Sequence, residues 1–188
     1  MQPASYVDPG HTVLAVPVPE LDAYVRARTR HYDRAYLADD PEFGQAHVTL
    51  LAPWERDPAA ADLQVIAELV AGVEPFEYGL AELDVFADGI VHLLADPPDR
   101  FAAMTPQLRR QFPRHVPYDG QFDHVVPHVT LDALGPGVEL ESVRVSLSGL
   151  VPARCRAEVV QLQWWQAGHC HVQQTWQLGQ PPPKESNP

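Results

Sequence analysis

The spacing of apolar residues switches along the chain between the alternation of strands and the three-and-four recurrence of helices. Residues 11–18 (HTVLAVPV) predict a first strand, broken by Pro17 and Pro19. Helix-period positions follow at Leu21, Tyr24, Val25, the Arg28 stem, Tyr32, Ala35 and Tyr36, and then a polar loop at 37–45. Residues 46–51 (AHVTLL) predict a strand closed by Pro53. A second helix is expected across 58–72, with Leu63, Ile66, Leu69 and Val70 on one face and Gly72 near its end. Residues 76–87 and 90–95 predict two strands about an Asp88-Gly89 hairpin turn. A third helix over 99–112 sets Phe101, Met104, Leu108 and Phe112 at helical spacing. Residues 127–131 (PHVTL) predict another strand. Residues 138–150 stay ambiguous, because Val143, Val145 and Leu147 alternate where a helix is otherwise expected. Two closing strands, about 155–165 and 169–178, flank a turn at Gln166-Ala167-Gly168. Strands outnumber helices and hairpins are present, so the expected class is α+β.

Composition narrows the function classes. The chain has 188 residues, 45% of them hydrophobic, enough for one domain or two closely fused halves. Its 20 prolines fall mostly between periodic segments, where they punctuate short elements. A formal charge of −12 argues against extended nucleic-acid binding, which needs clustered cations to displace counterions. Lys184 is the only lysine, so recognition of any anion falls to Arg, His, hydroxyls or backbone amides. No basic-then-apolar leader and no apolar run of membrane-spanning length are found. Cys155 and Cys170 are expected as unpaired thiols, which with the rest predicts a cytoplasmic protein.

The strongest chemical signal is a repeated tetrapeptide. His-Val-Thr-Leu stands at 47–50 and again at 128–131. Side chains alternate along a strand, so His47 and Thr49 share one face, and His128 and Thr130 do the same. The valines and leucines take the opposite face and suit a core. Two such strands across a cleft assemble two imidazoles and two hydroxyls. A neutral imidazole can take a proton from an attacking water while a protonated one donates to the departing oxygen. Threonine hydroxyls can donate to non-bridging phosphoryl oxygens. This chemistry requires neither metal nor cofactor.

The segments HVTLLAPW (47–54) and PHVTL (127–131), with the intervening IVHLLADPPDRFAAMTPQL, resemble the 2H phosphoesterase superfamily, also called the 2′-5′ RNA ligase-like family. The match in motif spacing and element order covers about residues 11–179. The resemblance implies a duplicated bilobal α+β fold, with two mostly antiparallel sheets lining a central cleft and helices outside. It further implies a single domain of two pseudo-symmetric lobes over 1–179, followed by a disordered tail at 180–188. His47 and His128 would be the catalytic pair, with Thr49 and Thr130 binding phosphate. The implied activity is hydrolysis of a cyclic phosphate or phosphodiester on a nucleotide or RNA end, by a chain favoured as a monomer. A non-catalytic nucleotide or RNA-end binding module and a 2′-5′ RNA end-joining enzyme are the alternatives. Relatives acting on RNA cyclic ends commonly carry an arginine just past the second motif, where this chain runs Leu131-Asp132-Ala133-Leu134. That departure, with the acidity, weakens the RNA assignment, so a nucleotide-sized or otherwise small phosphodiester competes with an RNA end as the expected substrate.

Other residues carry weaker signals. Trp54, Tyr118 and Phe122 are candidate substrate contacts, and His115 and His124 could line the cleft. Of Trp164 and Trp165, adjacent on a strand, one is expected to face outward. His169-Cys170-His171 lacks further ligands at fixed spacing, so no metal site is expected there.

Overall fold

The computed structural model describes residues 9–115 and 126–181. Its elements in chain order are β1 (His11–Pro17), α1 (Pro19–Tyr32), a 3₁₀ turn (Arg34–Tyr36), β2 (His47–Trp54), α2 (Ala60–Ala71), β3 (Phe76–Val85) and β4 (Ile90–Asp96). After these come α3 (Asp99–Gln111), β5 (His128–Ala133), α4 (Leu140–Ser146), β6 (Ala153–Ala157), β7 (Val159–Trp165) and β8 (His171–Gln177). The tail expectation falls mainly on 182–188, outside the described residues.

Local chemistry explains most boundaries. Pro19 opens α1, where a missing amide hydrogen costs nothing. Gly72 ends α2, its amide directed at the last carbonyls of the helix. Gly89 has φ +90° in the β3–β4 turn, a conformation that favours glycine. One expectation is corrected and one ambiguity resolved. β2 does not stop at Pro53, because Trp54 still pairs with Thr12 of β1 while Pro53 is exposed. The ambiguous 138–150 stretch holds a helix. Val143 and Leu147, one turn apart, are 2% and 3% exposed, whereas Val145 points outward at 63%. Ser142 at the third helical position accepts the Glu139 amide and sets the N-terminus.

All strand pairs are antiparallel, in the order β6-β3-β4-β5-β2-β1-β7-β8. The sheet divides into two four-stranded halves, β2-β1-β7-β8 and β5-β4-β3-β6. They meet through a single bridge pair, Val48 with Val129. The expected strand at 155–165 is interrupted at Glu158, and its two parts serve different halves. β6 pairs with β3 and β7 with β1, so one residue carries the chain between them. The helices also cross over: α1 packs on β5 and α3 on β2. One apolar cluster runs beneath both halves, including Leu14, Val48, Leu50, Leu93, Val129 and Leu131. Each such side chain, fully buried, contributes roughly 1.5–3 kcal/mol. Among the described residues no helix is long and apolar enough to cross a membrane.

Candidate functional site

The two His-Val-Thr-Leu segments lie side by side. Val48 and Val129, both 0% exposed, form the central pair, and Leu50 and Leu131 are buried on the same side. The antiparallel register therefore sets His47 opposite Thr130 and Thr49 opposite His128. Both pairs stand on the face away from the Val-Leu core. The imidazoles are diagonal neighbours, a relation that spaces strand positions by roughly 7–8 Å.

Each imidazole is held alike. Nδ1 of His47 lies 3.0 Å from the Gln45 carbonyl and Nδ1 of His128 lies 2.7 Å from the Val126 carbonyl. A carbonyl only accepts, so in each case Nδ1 carries the hydrogen and donates it. In the neutral ring, Nε2 is then the free base. Burial pushes the His47 pKa below its ordinary value; the Gln45 carbonyl opposes this and the charge of His128 adds to it. Burial likewise lowers His128, opposed by the Val126 carbonyl and reinforced by His92. The His47 ring thus senses His128, and the His128 ring senses His92.

Their flanks differ. On the first side, the Trp165 ring lies 5.4 Å from His47, and Phe43 meets Trp165 edge-on at 4.9 Å. The loop before His47 is pinned to β7. Gln161 Nε2 donates to the Glu42 carbonyl at 2.6 Å, Gln163 Nε2 to the Gly44 carbonyl at 2.9 Å, and Trp165 Nε1 to Gln163 Oε1 at 3.1 Å. Gly44 permits this close approach, since a Cβ there would stand 2.5 Å from that of Pro17. On the second side, Phe86 stacks on His92 at 3.7 Å and meets His128 edge-on at 4.8 Å. His92 itself lies 5.2 Å from His128.

Just past the second motif, Asp132 is held by Arg28 of α1, with Nε 2.7 Å from the carboxylate, and by the Tyr32 hydroxyl. The position past the second motif, which carries no arginine of its own, is thus joined to an arginine from another element.

The structure brings His47, Thr49, His128 and Thr130 together and sorts the weaker candidates. Trp54 is corrected: it is 3% exposed and packs against Phe112 at 5.1 Å, in the core rather than the cleft. Tyr118, Phe122 and His124 lie outside the described residues. His115 pairs with Glu55 at 2.9 Å, beyond the Trp54 end of β2 and away from the motif. Trp165 is the tryptophan beside the site, while Trp164 faces Gly10 and Arg56. Cys155 and Cys170 are both buried, and the Cys170 thiol donates to the Gln166 carbonyl at 3.3 Å. Among the described residues no group of three or more His, Cys, Asp or Glu side chains could hold a metal, His169-Cys170-His171 included. Sequence reasoning passed over His92, Phe86 and Phe43. The one available signal was a histidine inside the otherwise apolar IVHLLA strand.

The model of the 2′-5′ RNA ligase superfamily matches residues 17–169, a span that includes both motifs. The chain belongs to this superfamily, whose members are the 2H phosphoesterases. Comparison with curated proteins gives no match. Among solved structures, TT0787 of Thermus thermophilus is 19% identical with a TM-score of 0.60, over 90% of this chain and 98% of that one. E. coli LigT complexed with 3′-AMP is 16% identical with a TM-score of 0.55, over 92% of this chain and 100% of that one. E. coli LigT complexed with NADP+ is 19% identical with a TM-score of 0.52, over 92% and 99%. At these identities the likeness establishes the fold: an antiparallel eight-stranded α+β architecture of the 2H type.

Proposed function

We propose that this protein hydrolyses a cyclic phosphate or phosphodiester of nucleotide size, a 2′,3′-cyclic phosphate being the leading substrate class. The observation that carries the reading is the register at Val48 and Val129, which faces each motif histidine with the other motif's threonine. A phosphate between the imidazoles meets one Nε2 on the side of an incoming water and the other on the side of the leaving oxygen. The neutral ring takes the proton of the water as its oxygen bonds to phosphorus. The protonated ring gives its proton to the ribose oxygen as the P–O bond breaks. Thr49 and Thr130 donate to the non-bridging oxygens, whose charge grows in the transition state. The carbonyls of Gln45 and Val126 keep both rings in the tautomer this requires and stabilise either ring when charged. No step calls for a metal or cofactor.

A small substrate fits the chain's −12 charge and the tying of Asp132 to Arg28 beside the second motif. Related LigT has been crystallised with 3′-AMP and NADP+, ligands of the same scale. A cytoplasmic setting agrees with the buried free thiol of Cys155. The test is product analysis after incubation with a panel of 2′,3′-cyclic nucleotides, with and without EDTA. Linear monophosphate formed at equal rates in both conditions supports the reading. Intact substrate throughout the panel, with binding detected, supports a binding module instead.

A further inference from the structure

His92 has no counterpart in the first motif's surroundings. On β1, the residue paired with Thr49 is Ala15; on β4, the residue paired with Thr130 is His92. These two positions correspond through the Val48–Val129 bridge, yet one carries a methyl group and the other an imidazole. Ala15 is 0% exposed and His92 1% exposed, so both belong to the packed floor beside the site. An apolar side chain would fill that floor without needing any polar partner. Instead His92 sets Nδ1 3.3 Å from the Ile90 carbonyl, two residues back, as both motif histidines do. Phe86 lies flat on its face at an interplanar angle of 15°. His128 meets its ring at 69° and Phe86 at 84°, so one aromatic pair braces His128.

We infer that His92 is a positioning residue for His128, fixing the ring against the Phe86 stack and governing when it takes up a proton. It rests on the reading of His128 as a proton-transfer group. The ionisable groups facing the pair are Asp84, opposite His92 on β3, and His47 on β2. A charge on His92 opposes a second charge on His128.

The first measurement needs no turnover. The His128 ring is followed by NMR from acid to alkaline pH in the wild type, His92→Phe and His92→Gln. Phenylalanine keeps the stack on Phe86, and glutamine keeps a donor for the Ile90 carbonyl. The His128 midpoint is expected to rise in both variants, by about half a pH unit or more. An unchanged midpoint in either folded variant overturns the inference, even if stability falls. The second measurement is the pH profile of kcat/KM on a 2′,3′-cyclic nucleotide. One limb should move up by the same amount: the acid limb if His128 is the base, the alkaline limb if it is the acid. Two unmoved limbs also overturn it. A wild type that turns over no cyclic nucleotide defeats the proposed function and leaves the titration result standing.

Discussion

His47 and His128 occupy the same tetrapeptide, bond their Nδ1 atoms to the same relative carbonyl and meet across one bridge pair. Their surroundings nonetheless come from different elements. His47 stands beside Trp165 of β7, behind a loop fastened by Gln161 and Gln163. His128 leans on Phe86 and His92, on and just before β4. A duplicated motif thus delivers two equivalent reactive groups, while its neighbours make them unequal. An acid and a base drawn from identical sequence need such a difference, and here it lies one strand away from each motif.

The largest effect should come from removing either ring. His47→Ala and His128→Ala are each expected to cut turnover of a cyclic nucleotide by about 10²–10⁴-fold. Circular dichroism should stay unchanged. A variant that keeps wild-type turnover would break the equivalence of the motifs. Next is the tie between the halves. Arg28→Met leaves Asp132, whose side chain is 3% exposed, as a buried carboxylate without its partner. Urea unfolding should then record a loss of about 3 kcal/mol. The threonines come third. Thr49→Val and Thr130→Val should each lower kcat by about 10²-fold with little change in fold. A large loss at only one of them would show the phosphate held unequally.

The smallest effect concerns acid stability. Both motif histidines have pKa values below the ordinary 6.5, so between that value and their folded ones the unfolded chain binds the extra protons. Their contribution is complete above 6.5 and is lost as pH falls through the folded values. His128→Gln should therefore show a shallower decline of Tm than the wild type between about pH 7 and about pH 5. An equal slope would remove His128 from that account.

The four motif residues were legible because strand alternation alone puts His and Thr on one face and Val and Leu on the other. The helices α1, α2 and α3 were legible from spacing, with Gly72 marking the end of α2. Tertiary packing overruled the local pattern elsewhere. Val143 and Val145 alternate like a strand, yet a helical turn buries one and exposes the other. Trp54 follows the motif directly, but Phe112 of the segment after α3 claims its ring. His92 could not be assigned from periodicity, since its meaning lies in the strand register that pairs it with Thr130. The break at Glu158 was hidden for a similar reason: residues 155–165 read as one continuous strand until each part chooses a different partner.

That break governs how wide the groove can open. A lone connecting residue lets the Cα atoms on either side separate by no more than about 7 Å. The outermost strand of one sheet half is therefore leashed to an inner strand of the other, Ala157 to Val159. Spreading the walls to admit a bulky ligand would strain this short tether before it freed the rings. The gauge of the groove is set by the backbone.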